Sequence, residues 1–185
     1  MTESAVKQRE ADLMFYDDEE DEDTQANMYL SFRIGKEMYA IGIEHIVEIV
    51  EMQKITEVPD LPEYVKGVIN LRGNVIPVLD VRIRFKLQPR EYDDRTCNII
   101  INLNNTKIGL IVDTVQEALT IMPENISPPP NFKTASGKER YISGMGKVEE
   151  EVVILLNVEK ILYGEELEAI ESMKNDLEEK KDTKK

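Results

Sequence analysis

The chain has 185 residues and carries 37 acidic against 23 basic side chains, a formal net charge of −14. This acidity argues against binding to nucleic acid or to an anionic membrane surface, both of which require basic residues. No segment approaches the roughly 20 apolar residues of a membrane span and no signal peptide opens the chain, so we expect a soluble cytoplasmic protein with no direct membrane insertion.

The charge is concentrated at the N-terminus. Residues 1–27 have a net charge of −8, residues 164–185 have −3, and the 136 residues between them also have only −3. The acidic run Asp17–Asp23 cannot bury apolar surface and repels itself, so residues 1–27 are predicted to be a disordered tail. Its simplest role is to keep the protein soluble, and a regulatory role is the alternative.

Short strands are predicted from residue 28 onward. Apolar and polar residues alternate through Leu30–Ile34 and again through Tyr39–Ile43, with a turn at Gly35–Glu37 between them, which is typical of a hairpin. A turn of helix leading into a strand near Glu48–Glu51 follows.

A second hairpin is predicted for Gly67–Leu71 and Asn74–Leu79, with Arg72 and Gly73 at or near its turn. Pro77 lies within the returning strand and has no N–H to donate to a neighbouring strand. We therefore predict that Pro77 stands on an edge strand or at a bulge.

The same order of elements recurs in the second part of the chain. Strands are predicted for Cys97–Leu103, Lys107–Val112, Val115–Ile121, Tyr141–Val148 and Val152–Asn157. After Val158 the apolar residues recur at helical spacing, so residues 164–185 are predicted to form an amphipathic helix that packs on the body and frays at its end.

This recurrence is an internal repeat. Residues 32–50 match residues 101–119 without a gap at a spacing of 69, and residues 64–81 match residues 141–158 at a spacing of 77. The chain therefore divides into halves of roughly 28–90 and 91–163. Because halves of about 65 residues are marginally stable alone, we expect one shared core, and strand exchange between the halves is compatible with it.

The chemistry that enzymes need is absent from the sequence. His45 is the only histidine, and there is no phosphate-binding glycine loop. His45 is predicted to be a structural residue, exposed or half-buried; Cys97, the only cysteine, a small buried packing residue; and Asp80 the cap of a helical turn. We expect no catalytic residues, no metal site and no cofactor.

One difference between the repeats points to binding. Gly67 falls on Gly144 and the apolar positions are kept, but Glu149 stands opposite Arg72. Arg72 has two interpretations: a solvated turn residue, or an anchor whose planar fork of donors binds a carboxylate or backbone carbonyls of a partner. Glu48 is the candidate intramolecular partner of Arg72.

The run Lys66–Phe85, KGVINLRGNVIPVLDVRIRF, closely resembles the signature of the CheW-like domain family. The pattern NLRG-x-hhPhhD, where h is apolar, occurs together with GhhVD at Gly109–Asp113, and this combination is highly specific for that domain. The resemblance extends over residues 28–163.

The resemblance implies a mainly β fold of two five-stranded SH3-like barrels packed on a shared core, with short helices and a C-terminal amphipathic helix. It also implies a non-catalytic adaptor, monomeric by itself, that couples the cytoplasmic hairpin tips of methyl-accepting chemoreceptors to the regulatory domain of the CheA histidine kinase, in arrays at the inner membrane. The residues carried over to receptor binding are Arg72, Glu48, Ile49, Val68 and Val75. The residues carried over to kinase binding are Ile46 and Gly67.

Two other interpretations stay open. The chain is alternatively a CheW-like module of a different or fused signalling adaptor that does not activate a kinase. An enzyme or a small-molecule binder requires the groove between the halves to be deep and polar.

Overall fold

The computed structural model describes residues 25–130, 141–162 and 164–183. The predicted acidic tail lies outside the described residues except for residues 25–27. There, the carbonyl of Asn27 accepts a hydrogen bond of 2.9 Å from the N–H of Ile121.

Eleven strands and two α-helices make up most of the described residues. The strands are β1 Met28–Ile34, β2 Glu37–Gly42, β3 Ile46–Glu51, β4 Val65–Leu71, β5 Asn74–Asp80, β6 Cys97–Leu103, β7 Thr106–Val112, β8 Thr114–Thr120, β9 Ile126–Ser127, β10 Ile142–Val148 and β11 Glu151–Leu156. The helices are α1 Val81–Arg84 and α2 Gly164–Asp182, and 3₁₀ turns lie at Ile43–His45, Pro123–Asn125 and Val158–Lys160.

The strands form two sheets, with the orders β8-β1-β2-β11-β10-β9 and β3-β6-β7-β5-β4. The predicted mainly β class, with two sheets, short helices and a C-terminal helix, is confirmed. The sheets are not the predicted closed five-stranded barrels, because the first and last strands of each sheet are not hydrogen-bonded to each other. The first sheet has six strands, since the two residues of β9 pair with Met145 and Gly146 of β10.

Both sheets combine strands from the two parts of the chain. The hairpin β1–β2 lies in the sheet with β8 to β11, whereas the hairpin β6–β7 lies in the sheet with β3, β4 and β5. Each exchanged hairpin joins its sheet through one parallel pair, β2 with β11 and β5 with β7, and through one antiparallel pair, β1 with β8 and β3 with β6. Neither part of the chain completes a sheet with its own strands.

The strand registers follow the internal repeat residue by residue. Ala40 pairs with Leu155, and Val78 pairs with Gly109, which are equivalent pairs at the spacings of 69 and 77. The antiparallel pairs Phe32–Val115 and Ile101–Ile46 are equivalent in the same way. The repeated sequence positions therefore occupy repeated positions in the sheets.

The main core lies between the two sheets. Phe32, Ile99 and Leu110 are completely buried there, and Ile170 of α2 joins the same cluster with 1% exposure. A row of four aromatic rings runs through this core, Phe32–Tyr39–Phe85–Tyr141, with neighbouring centroids 5.0–6.0 Å apart. Such contacts stabilise the fold beyond the apolar area that they bury.

Capping explains the short helical turn after β5. The Asp80 carboxylate accepts hydrogen bonds from the N–H groups of Arg82 and Ile83 at 2.9 and 3.3 Å, so its predicted role as a cap is confirmed. The Tyr92 hydroxyl donates to the same carboxylate at 2.7 Å. Burial and this hydrogen bond raise the pKa of Tyr92.

The prediction for Pro77 is wrong. β5 is an interior strand between β7 and β4, and the bulge in β4 lies opposite Val78 and Leu79 rather than Pro77. Val68 of β4 pairs with Pro77 of β5, but both the N–H and the carbonyl of Val68 form hydrogen bonds with Thr56. Val68 and Pro77 are therefore a non-hydrogen-bonded pair of β4 and β5. The ladder between β5 and β7 begins only at Val78, and Pro77 therefore interrupts neither ladder.

Cys97 and His45 are both half-buried. This agrees with the structural role predicted for His45, but Cys97 is less buried than predicted, because it opens β6 beside a polar loop. Its thiol donates to the carbonyl of Arg95 at 3.2 Å, and burial raises its pKa. A raised pKa disfavours the reactive thiolate.

Asp113 joins three elements at the end of β7. Its carboxylate accepts hydrogen bonds from the N–H of Gly35 at 2.7 Å and from Arg82 at 2.5 Å. Burial would raise the pKa of Asp113, but these hydrogen bonds and the nearby guanidinium groups lower it below its ordinary value. Asp113 thus fixes the β1–β2 turn and α1 against the sheet.

Replacing Gly67 with alanine should destabilise the fold. A Cβ at this position would lie 2.1 Å from the carbonyl oxygen of Thr56, and the backbone has a φ of +142°. We expect a loss of about 2–4 kcal/mol in the free energy of unfolding, measured by urea denaturation. Gly73→Ala is the control, because a Cβ there meets nothing within 4 Å and only its φ of +87° opposes the change. Equal losses in the two variants would contradict this explanation.

Asp113→Asn should reduce stability in a manner that depends on pH. The pKa of Asp113 is lower in the folded than in the unfolded protein, so ionisation contributes stability above the unfolded pKa, and this contribution is lost as the pH falls through the folded value. At pH 7 we expect Asp113→Asn to lose about 1–3 kcal/mol, and the difference from the wild type to shrink below about pH 4. A difference that is constant with pH, in urea unfolding at several pH values, would be inconsistent with this role.

Candidate functional site

The β4–β5 hairpin presents Arg72 at its tip. Arg72 and Gly73 form the two-residue turn, and both have positive φ, +50° and +87°. The side-chain oxygen of Asn70 accepts a hydrogen bond of 2.9 Å from the N–H of Gly73 and so holds the turn. Turns of this kind match the twist of the flanking strands and fix the position of the side chains that they carry.

Arg72 and Glu48 form a bidentate ion pair. The two terminal nitrogens of the guanidinium donate to the two carboxylate oxygens at 2.8 Å each. The hydrogen bonds hold the pKa of Glu48 below its ordinary value, and the carboxylate raises the pKa of Arg72. The pair joins the hairpin at one edge of the five-stranded sheet to β3 at the other edge. The predicted partnership of these two residues is therefore present.

The ion pair orients Arg72 without hiding it. The Arg72 side chain is 69% exposed, whereas that of Glu48 is 27% exposed. A guanidinium has five N–H donors in a planar fork, and Glu48 uses only one from each terminal nitrogen. The outer donors are thus presented in a defined direction, which is the geometry that bidentate recognition needs.

β3 adds apolar surface to this region. Val47 and Ile49 are 43% and 44% exposed, and β3 is an edge strand. Ile49 pairs with Ile99 and so shares its face, the one toward the main core, whereas Glu48 pairs with Ile100 and faces the other way. Ile46 is half-buried against the main core. An edge strand that carries exposed valine and isoleucine as well as the partner of an oriented charge is typical of a binding region.

Val68 and Val75 lie elsewhere and are nearly buried. They stand on β4 and β5 with 7% and 8% exposure. Both line a cavity of about 240 Å³, together with Thr56, Ile69, Asn70, Leu177 and Lys181. Leu177 and Lys181 belong to α2, so the C-terminal helix covers the part of the predicted receptor surface that Val68 and Val75 form.

Gly67 has a structural role that the sequence did not reveal. It is buried at the bulge in β4, where the backbone of Thr56 approaches so closely that no side chain fits. The seven predicted residues therefore occupy different environments. Arg72 and Glu48 are in direct contact, Ile49 is exposed near them along β3, Ile46 is half-buried, and Val68, Val75 and Gly67 are buried.

The other repeat provides an internal comparison for this surface. Glu149 occupies the turn position of Arg72 with nearly the same φ, +54° against +50°. Glu117 is equivalent to Glu48, so that two acidic residues replace the ion pair. Gln116 and Ala118 replace Val47 and Ile49. The fold is repeated, but the combination of an oriented cation and exposed apolar residues is not.

Sequence reasoning missed two parts of this region. Val47 lies at the β3 bulge between Ile46 and Glu48, and a one-residue bulge is invisible in an alternating apolar pattern. The contact of α2 with the hairpin was also missed. The helical spacing of Leu177 was recognisable, but the strand against which it packs was not.

A second cavity, of about 310 Å³, is lined in part by Asp80, Lys66, Arg90 and Tyr92. Asp80 already accepts hydrogen bonds from two backbone N–H groups and a tyrosine hydroxyl. Within residues 25–130, 141–162 and 164–183 there is no group of three metal-binding side chains, and no helix is long and apolar enough to cross a membrane.

Comparison with known proteins identifies the family. Residues 28–166 match the family model described as the CheW-like domain. The chain is 34% identical to a chemotaxis protein CheW of Klebsiella aerogenes over 151 residues, covering 82% of this chain and 90% of the relative. It is 36% identical to the CheW of Helicobacter pylori over 143 residues, covering 77% and 86%.

A solved structure agrees with the sequence matches. The crystal structure of the scaffolding protein TtCheW from Thermoanaerobacter tengcongensis has a TM-score of 0.69 and 31% sequence identity, and the match covers 76% of this chain and 94% of that chain. The matched residues 28–166 include Arg72 at the hairpin turn, the cap Asp80 and the hydrogen-bond acceptor Asp113. On these grounds the chain belongs to the CheW-like domain family.

Proposed function

We propose that this protein is a non-catalytic chemotaxis adaptor that couples the cytoplasmic hairpin tips of chemoreceptors to the regulatory domain of the CheA histidine kinase. The observation that carries the proposal is an oriented and exposed guanidinium at Arg72, bound to Glu48 of the edge strand β3, on which Val47 and Ile49 are also exposed. Relatives that cover most of the chain are named chemotaxis proteins, and the similar solved structure is named a scaffolding protein.

Arg72, held by Glu48, is proposed to be the receptor anchor, with Ile49 supplying apolar contact. An oriented charged fork can bind an acidic or carbonyl-rich stripe of a helical partner, and an exposed aliphatic side chain on the edge strand can pack against apolar residues of that partner. Val68 and Val75 belong to the same proposed surface but are accessible only where α2 does not cover them.

Kinase contact is proposed for the region of Ile46. Its place on β3 supports this, since β3 is an edge strand and edge strands readily accept a partner. Gly67 is proposed to act indirectly, by allowing the close approach of Thr56 that shapes the hairpin. The adaptor is proposed to be a monomer by itself and to be recruited to receptor arrays at the inner membrane from the cytoplasm.

Arg72→Ala should uncouple the protein without unfolding it. The Arg72 side chain is largely exposed, so the urea midpoint should stay close to that of the wild type. We expect affinity for a receptor hairpin-tip fragment to fall by about tenfold, with a matching loss of kinase activation in a reconstituted receptor–kinase assay. Glu149→Ala is the matched control, because it changes the equivalent turn of the other repeat. Normal coupling by Arg72→Ala would exclude Arg72 as the anchor.

A charge exchange distinguishes a partner contact from an internal clamp. Arg72→Glu combined with Glu48→Arg retains an ion pair, and Glu149 demonstrates that glutamate tolerates this turn conformation. If Arg72 contacts the receptor, the double variant should fold normally yet remain as defective in receptor binding as Arg72→Ala. Full recovery of binding would mean that the pair acts only as a clamp. Receptor binding that persists without kinase activation would favour the alternative, an adaptor that does not activate a kinase.

A further inference from the structure

The C-terminal helix α2 is anchored unevenly along its length. Its N-terminal half packs on the main core through Leu167, Ile170 and Met173, and Ile170 is only 1% exposed. Side-chain hydrogen bonds fix the same half: Arg84 donates to Glu166 at 3.3 Å, and Thr106 donates to Glu171 at 2.8 Å. This half is an integral part of the fold.

The last two turns of α2 are held by much less. After Met173, Leu177 is the only apolar residue of the helix, and it is half-buried. Lys181 donates one hydrogen bond, of 3.3 Å, to the carbonyl of Gly73, and both groups are exposed. A helix end with a single apolar contact and one exposed hydrogen bond opens at low cost while the rest of the helix stays in place.

These two turns cover residues of the proposed receptor surface. Leu177 and Lys181 close the cavity that Val68 and Val75 line, and Lys181 reaches the turn that carries Arg72. The other repeat indicates how much the helix hides. Val152, the equivalent of Val75, has no helix in the corresponding place among the described residues and is 54% exposed, against 8% for Val75.

We propose that the end of α2, residues 176–182, is an intramolecular occupant of this helix-docking cavity and competes with the receptor helix for it. The inference rests on the proposed receptor function and adds its regulation. The occupant already displays what the cavity accepts: an amphipathic helix that places an apolar side chain in the cavity and a basic side chain one turn later at the carbonyl of Gly73. A receptor helix with this pattern replaces it, while the anchored half of α2 remains.

This competition lowers the apparent affinity of the free adaptor for the receptor helix below the affinity of the open cavity. While the end of α2 lies on the hairpin, only the fraction of molecules with the cavity open is competent to bind there, and the apparent affinity falls by that fraction. The same contact keeps Val68 and Val75 out of water in the absence of a partner. Covering these apolar side chains limits nonspecific association.

The test measures affinity for a labelled two-helix fragment of a receptor tip by fluorescence anisotropy. Lys181→Glu removes the donor to Gly73 and places a carboxylate against that carbonyl, whereas Lys180→Glu makes the same charge change on a neighbouring exposed residue and is the matched control. We expect Lys181→Glu to bind about three- to tenfold more tightly than Lys180→Glu. Truncation after Asn175, which keeps Ile170 and Met173, should give at least the same gain with a cooperative thermal transition.

A second readout does not involve the partner's affinity. On addition of the receptor fragment to the full-length protein, amide hydrogen exchange of residues 177–182 should accelerate while that of residues 167–173 stays unchanged. Equal or weaker binding by Lys181→Glu and by the truncated chain, or added protection of residues 177–182 in the complex, would overturn the competition and leave the proposed function standing. Failure of every variant and of the wild type to bind the receptor fragment would overturn both.

Discussion

The structure depends on one constraint, which is a core shared by two sheets. Each of these sheets is assembled from strands of both parts of the chain. The hairpins β1–β2 and β6–β7 cross to the opposite sheets, and each is fixed there by one parallel and one antiparallel strand pair. Because each sheet lacks two strands without the other part, the apolar faces are buried only when the whole domain has formed. This joins the stability of the Arg72 hairpin to a core that is distant in sequence.

The two repeats have nearly the same structure, so a position at which they differ is a candidate for function. The two repeats keep their register, their bulges and their capping residues Asp80 and Asn157, because packing and hydrogen bonding demand the same positions in both. Where packing makes no demand, at the exposed hairpin turn, Arg72 stands against Glu149. The ion pair with Glu48 gives this exposed arginine a fixed direction, which an isolated turn residue lacks.

Burial divides the candidate site residues into those that shape the fold and those that are accessible to a partner. Gly67 is required by the approach of Thr56, and a loss of binding after its substitution would follow from a distorted hairpin. Arg72 and Ile49 are exposed and can contact a partner directly. Val68 and Val75 belong to an intermediate class, since their exposure depends on where the end of α2 lies. Under the proposed function, Arg72 is a permanent anchor, whereas Val68 and Val75 are available only when the end of α2 is displaced.

The sequence by itself determined the mainly β class, most of the strands, the internal repeat and the cap at Asp80, whereas it offered Glu48 only as a candidate partner of Arg72. These follow from local periodicity, turn chemistry and a repeated pattern, all of which act over short stretches of chain. Only the tertiary structure decided the open six- and five-stranded sheets, the interior position of Pro77, the burial of Gly67 and the cover formed by α2. Each of these depends on which segments meet across long sequence separations, and no local pattern encodes such a meeting.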